Sequence, residues 1–273
     1  MSPIRILSSV DLPQPDGPTM ATNWPSSMAK SMSSRALTAP LRAAEISVLS
    51  GGAVEPGLKP VLAAFQTATG HTVRLTFNAA PQIEQRVEVG EAWDVVIAPA
   101  ARLDRYAQAG KVGSERVTVG RVGLGVAIRP DAPVPAIGDA DSVKRAILEA
   151  DSVVYNRAST GLLIEEMLRR MDIEAQVAPK AQRPRDGAAV MEHLLQGRGR
   201  EIGFGALTEI LLFKERGLRL VGPLPPGLQA YTVYAAALPA AGTRSEAARA
   251  LIAHLAKPES QRLFSAAGVE AAP

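Results

Sequence analysis

From Ile46 onward the chain alternates short apolar runs with longer amphipathic stretches, and this alternation constrains the fold more than any single motif. An apolar run of four to six residues reads as a buried strand, and the helical period that follows must carry the chain back across the sheet. The units can be counted. ISVLS (46–50) precedes a helix over about 54–68 with apolar Leu58, Val61, Leu62 and Phe65. TVRLTF (72–77) precedes a shorter helix near 81–89, and WDVVIA (93–98) precedes ARLDRYAQAG. Gly70, Gly90 and Gly110 each stand where a helix should stop, because glycine takes the left-handed backbone of a helix end without strain.

A second series begins near RVGLGVAIRPDAP (121–133), read as a strand leaving the first sheet. The helix DSVKRAILEA, the strand SVVYN and the helices STGLLIEEMLRRM and DGAAVMEHLLQGR follow. EIGFGA (201–206) reads as a strand leading into LTEILLFKERG, LRLVGPLPPGL as a Pro-rich connection, and QAYTVYAAAL as a strand with aromatics on a half-buried face. Two helices close the chain. The expected class is α/β.

With 273 residues, 47% of them hydrophobic, the chain can bury a substantial core in one or two domains. Charge, Pro or Gly interrupts every apolar run well before the roughly 20 residues that a membrane-spanning helix needs. The net charge of +3 is spread among Asp and Glu rather than massed, so no nucleic-acid partner is expected. The chain has no Cys, and its three His (71, 193 and 254) lie far apart, which excludes a thiolate nucleophile and argues against a metal site. No cofactor is expected. Residues 1–44 are rich in Ser, Pro and Met without any period, and read as a disordered or mis-assigned leader. They lack the apolar middle of a secretory signal, so either the protein stays inside the cell or this start is not the natural one.

Three loops share one design: a strand end, small or hydroxyl residues, then a helix start. They are Ser50-Gly51-Gly52-Ala53, Asn78-Ala79-Ala80-Pro81 and Ala158-Ser159-Thr160-Gly161. The first N–H groups of a helix lack internal partners and carry partial positive charge, so small side chains there let an anion approach. The same residues also serve as plain caps, and only convergence of the three loops on one cleft would make them a site. No phosphate-binding glycine motif is present, and GRVGLGVAI (120–128) leads into more strand rather than a helix. Enzyme readings find little footing. There is no G-x-S-x-G elbow, and Asp94, Glu165, Glu166 and Glu209 read as caps or solvated helix faces, leaving no acid–base pair to nominate. The aromatic content of 4% argues against a sugar site.

Residues 46–99, followed by LDRYAQAGKV, resemble the amino-terminal half of periplasmic solute-binding proteins of the molybdate-binding type, which serve ABC transporters. EIGFGALTEIL, VGPLP and the stretch from YTVYAAAL to the carboxyl-terminal helices are similar to that family's closing elements. The resemblance implies a two-lobed type II periplasmic-binding-protein fold, each lobe a mostly parallel sheet flanked by helices, joined by crossover strands. Lobe 1 would be 45–125 plus 228–273, and lobe 2 would be 126–227.

It further implies a non-enzymatic, periplasmic, monomeric protein that closes over a small anion and passes it to a membrane permease. Ser50, Gly51 and Gly52 would meet the ligand from the first loop, Asn78 and Ala79 from the second, and Ala158, Ser159 and Thr160 from the second lobe. Arg157, beside that last loop, could grip a carboxylate or larger oxyanion in bidentate fashion.

Two positions depart from the family pattern. The second-loop Ser is replaced at Asn78 or Ala79, and the donating Tyr falls at Ala206. Each missing charged hydrogen bond would cost about 1–3 kcal/mol, which counts against molybdate itself. The alternative left open is an intracellular anion-sensing domain of LysR-like type.

Overall fold

The computed structural model describes residues 43–240 and 245–272. Except at Ala43 and Ala44, the leader read over 1–44 lies outside them. The alternation produces β1 (Glu45–Gly51), α1 (Glu55–Thr69), β2 (Thr72–Asn78), α2 (Ala80–Glu88), β3 (Val95–Pro99) and α3 (Ala100–Gln108). A 17-residue strand, β4 (Val112–Ile128), follows. Next come α4 (Ala140–Glu149), β5 (Ser152–Val154), α5 (Ser159–Arg170), α6 (Glu174–Val177), β6 (Ala181–Gln182) and α7 (Gly187–Gln196). β7 (Glu201–Ala206), α8 (Leu207–Leu212), β8 (Arg219–Pro223), β9 (Tyr231–Pro239), α9 (Glu246–Leu255) and α10 (Pro258–Ala266) complete the order.

Local chemistry explains these boundaries. In α1 the apolar residues Leu58, Val61, Leu62 and Phe65 recur at helical spacing and are all buried, and Gly70 ends the helix at φ 71°. Gly90 and Gly110 also hold positive φ, so the three glycine stops are confirmed. Gly57 permits α1 to touch α10, since a Cβ there would lie 2.6 Å from the Phe264 ring. Asp139 caps α4 by accepting from the Ser142 N–H at 2.7 Å.

The strands form one mixed sheet in the order β2-β1-β3-β9-β4-β7-β5-β6, with β8 paired to β4 off that path. β1 runs parallel to β2 and β3, and β5 runs parallel to β6 and β7, whereas every pairing of β4 and β9 is antiparallel. β4 ties the two wings together. It pairs with β9 as far as Gly123 and with β7 from Leu124 onward. Gly120, at φ 152°, sits at a register shift where a Cβ would strike Val269 and Glu270, so the bend requires glycine.

Two readings change. The strand expected from about residue 121 begins at Val112, and LRLVGPLPPGL contains β8, an outer strand that keeps its Gly222 and Pro223 at its end. Separate cores fill the wings. One gathers Ile46, Leu58, Phe65, Leu251 and Phe264, and the other gathers Val126, Ile147, Val153, Ile164 and Phe204. Each such side chain contributes about 1.5–3 kcal/mol by leaving water.

The register fixes where helices start. Gly51 faces Asn78 across the β1–β2 ladder, so the first two loops emerge side by side. Val154 pairs with Gly203 and with Gln182, so the outer strands of the other wing also end together. The loops that follow β1, β2, β5 and β6 border one cavity.

Candidate functional site

The cavity has a volume of about 370 Å³ and is lined from both wings. Gly51, Gly52 and Ala53 border it before α1, Asn78 and Ala79 before α2, Ala158 to Thr160 at the start of α5, and Asp186 to Ala188 at the start of α7. The sequence reading anticipated three of these four helix starts.

Buried polar groups hold the loops in place. Asn156 is 2% exposed, and its Oδ1 accepts from the Ala158 and Gly161 N–H groups at 2.9 Å each. Gly161 has no room for a side chain, because a Cβ would lie 1.7 Å from the Asn156 carbonyl oxygen. Arg183 donates to that same carbonyl, pairs with Glu165 and stacks on the Tyr155 ring. In the second loop, Gln82 Oε1 accepts from the Ala79 N–H at 3.0 Å. Arg86 donates to Asn78 Oδ1 at 2.5 Å, leaving the Asn78 NH₂ as its donor end.

Seven of the nine candidate residues line the cavity: Gly51, Gly52, Asn78, Ala79, Ala158, Ser159 and Thr160. Ser50 and Arg157 do not. β1 runs on through Gly51, so Ser50 is a fully buried sheet residue whose hydroxyl donates to the Gly51 carbonyl at 3.2 Å. Arg157 lies between the inward Asn156 and Ala158 and faces solvent. The guanidinium on the cavity wall is that of Arg185, which donates to Asp186 at 2.9 Å.

Tyr234, Asp186 and Glu209 are among the further lining residues that the sequence alone does not nominate. Tyr234, on β9, packs its ring against Gly51, where a Cβ would be 3.0 Å from Cε1, and it borders the cavity together with Ser159. Burial and the charge of Glu209 push its phenol well above the ordinary range, so it remains a hydroxyl donor. The family resemblance implies a tyrosine at position 206. Ala206 instead caps α8, and the phenol comes from another strand. Asp186 accepts from the Ala189 N–H at 2.8 Å and caps α7.

Glu209, expected on a solvated helix face, lies in the cavity wall. It is the third residue of α8, one turn on from Ala206, the residue at the N-cap of that helix. Its carboxylate is pressed between two glycines: a Cβ at Gly187 would lie 1.9 Å from Oε2, and one at Gly52 would lie 3.2 Å from Oε1. The Thr208 hydroxyl fixes this approach by donating to the Ala53 carbonyl at 2.5 Å. Burial, reinforced by the charges of Asp186 and Glu55 and opposed by the Ala206 N–H, pushes the Glu209 carboxyl up to about 7. At neutral pH it therefore exists as both acid and base.

Residues 46–270 match the family model described as bacterial extracellular solute-binding protein. The chain belongs to this family. It is 30% identical over 247 residues to an aconitate isomerase from Pseudomonas sp, an alignment covering 86% of this chain and 92% of that protein.

Among solved structures, the solute-binding protein resembles the Azotobacter vinelandii periplasmic molybdate-binding protein, with TM-score 0.67 at 15% identity over 84% of this chain and 100% of that one. It also resembles the L-phospholactate-bound PEB3, with TM-score 0.66 at 15% identity over 83% and 100%. The fold is that of type II periplasmic binding proteins. Among the described residues no helix is long and apolar enough to cross a membrane, and no group of His, Asp and Glu could hold a metal ion.

Proposed function

We propose that this solute-binding protein captures a small organic polycarboxylate, of which aconitate is the best candidate, in the cavity between its two wings. The observation that carries the reading is the convergence of helix starts from both wings on one cavity, which Tyr234 and Ser159 also line. Unpaired N–H groups and positive helix ends favour carboxylates without a full positive charge. Arg185 adds one cation at the wall.

Size and acidity favour a carboxylic acid over a tetrahedral oxyanion. A cavity of about 370 Å³ falls within the roughly 300–1,000 Å³ that hold organic ligands. Glu55, Asp186 and Glu209 also line it, so a compact dianion would meet a surplus of negative charge. A polycarboxylate can set one carboxylate against protonated Glu209, which then donates to it, and reach the helix starts with the others. The 30% identity to an aconitate isomerase supports this ligand class.

Capture closes lobe 1, residues 45–125 with 228–273, on lobe 2, residues 126–227, as hinge proteins do. The solute-binding family supports delivery of the ligand to an ABC-transporter permease from the periplasm, and we take the working form to be a monomer. Calorimetric titration of the whole chain with trans-aconitate, cis-aconitate, citrate, molybdate and sulfate tests the ligand. Micromolar binding of a tricarboxylate is expected, and binding of molybdate alone would overturn the reading.

A further inference from the structure

We propose that a proton is the second ligand of this cavity: an anion is held together with a proton on Glu209, so capture takes up a proton and release is favoured at higher pH. This rests on the carboxylate capture proposed above and adds the condition under which the cavity holds or yields its cargo.

The acids in the cavity wall are of two kinds. Glu55, on α1, is paired with Lys59 one turn on, and Asp186 accepts from Arg185 at 2.9 Å and from the Ala189 N–H at 2.8 Å. Each is matched by a cation close to it in the chain. Glu209 pairs with no cation among the described residues. The charges that act on it, from Asp186 at the α7 start and Glu55 on α1, are negative, and Tyr234, facing the cavity from β9, stays a neutral phenol. Nor is the side chain free to turn away. The Thr208 hydroxyl ties the start of α8 to the Ala53 carbonyl, and Gly187 and Gly52 stand against the carboxylate from the two wings.

An anion that reaches the helix starts therefore shares the cavity with this unpaired carboxyl. Two ionised carboxylates side by side in a buried site repel, whereas one proton between them makes a charge-assisted hydrogen bond. The free cavity is poised for that exchange, since the Glu209 carboxyl sits at about 7 and an incoming negative charge raises it further. By linkage the anion and the proton strengthen each other's binding equally. The direction follows. Below pH 7 the proton is already in place and affinity is level, whereas above it each pH unit lowers affinity by about tenfold until the carboxyl of the complex itself ionises.

The test titrates the full chain calorimetrically with trans-aconitate at pH 8, where the ligand is fully ionised, in phosphate and in Tris, whose heats of ionisation differ. The difference in binding heat should correspond to uptake of about one proton per ligand, and affinity should fall roughly 30- to 100-fold from pH 6 to pH 9. Glu209→Gln carries an amide that donates at every pH. In that variant uptake should vanish, affinity should be level across the range, and at pH 9 it should exceed the parent's. A loss from structural damage alone would weaken binding at every pH and keep the slope. Binding at pH 8 without proton uptake, or undiminished uptake in Glu209→Gln, overturns the proton linkage and leaves capture standing. Failure of every tricarboxylate to bind between pH 6 and pH 9 overturns the capture reading and this proposal with it.

Discussion

Glu209 and Gly187 are in such close contact that any side chain at position 187 would occupy the volume of the carboxylate, a Cβ lying 1.9 Å from Oε2. The acid thus holds the α7 start of one wing, while Gly52, on its other side, belongs to the turn after β1. The relationship is steric before it is chemical, and it can be tested as such.

Gly187→Ala should destabilise the protein by about 1–3 kcal/mol, the usual cost of overpacking a filled site. In a Glu209→Ala background the same change should cost little, because the clashing oxygens are gone. Urea unfolding of the two single variants and the double variant gives the coupling directly. Equal costs in both backgrounds would mean that the contact is not what makes position 187 intolerant.

The raised carboxyl of Glu209 has a consequence for stability. Its folded value of about 7 lies above the ordinary 4.5, so between those limits the folded chain binds more protons than the unfolded one. Stability therefore falls as pH rises through this window and levels off above it, by at most about 3 kcal/mol from this group. Comparing unfolding at pH 5 and pH 8 in the parent and in Glu209→Gln isolates the effect. The variant's pH dependence should be flatter by that difference.

Much of the frame was legible because it is written locally. The period that buries Leu58, Val61, Leu62 and Phe65 and the glycine stops at 70, 90 and 110 depend on neighbours within a few positions. The three loops were legible for the same reason. What escaped depends on pairing across long separations. Glu209 reads as an ordinary early-helix acid until α8 is docked on the turn after β1, and Tyr234 reads as a strand aromatic until Tyr234 pairs with Pro99 at the end of β3. An acid three residues past the end of a Gly-rich strand, as in EIGFGALTE, is the signal that could have drawn attention to position 209.

Tyr234→Phe keeps the ring against Gly51 and removes only the hydroxyl. If that hydroxyl donates to a bound carboxylate, its loss removes a charged hydrogen bond of about 1.5–3 kcal/mol, or roughly 10- to 100-fold in affinity. Ser159→Ala should weaken binding in the same direction. The double variant should lose less than the two single losses combined if both hydroxyls meet the same carboxylate. Titration with trans-aconitate measures all three, and unchanged affinity in Tyr234→Phe would remove the tyrosine from the site.

The two arginines separate what the sequence suggested from what the fold brings together. Arg157 adjoins the binding loop in sequence but points to solvent, whereas Arg185 borders the cavity with its guanidinium bonded to Asp186. Arg157→Ala should leave affinity within about 2-fold, since an exposed charge that does not line the cavity is screened by water and salt. Arg185→Ala should weaken capture by a larger factor, roughly 3- to 10-fold, because its side chain is 79% exposed and its attraction is partly screened as well. Raising the salt concentration should shrink the second effect and not the first. The measurement is affinity for trans-aconitate at 20 and 500 mM sodium chloride, and a stronger loss from Arg157→Ala would mean that the 156–160 loop turns over when ligand binds.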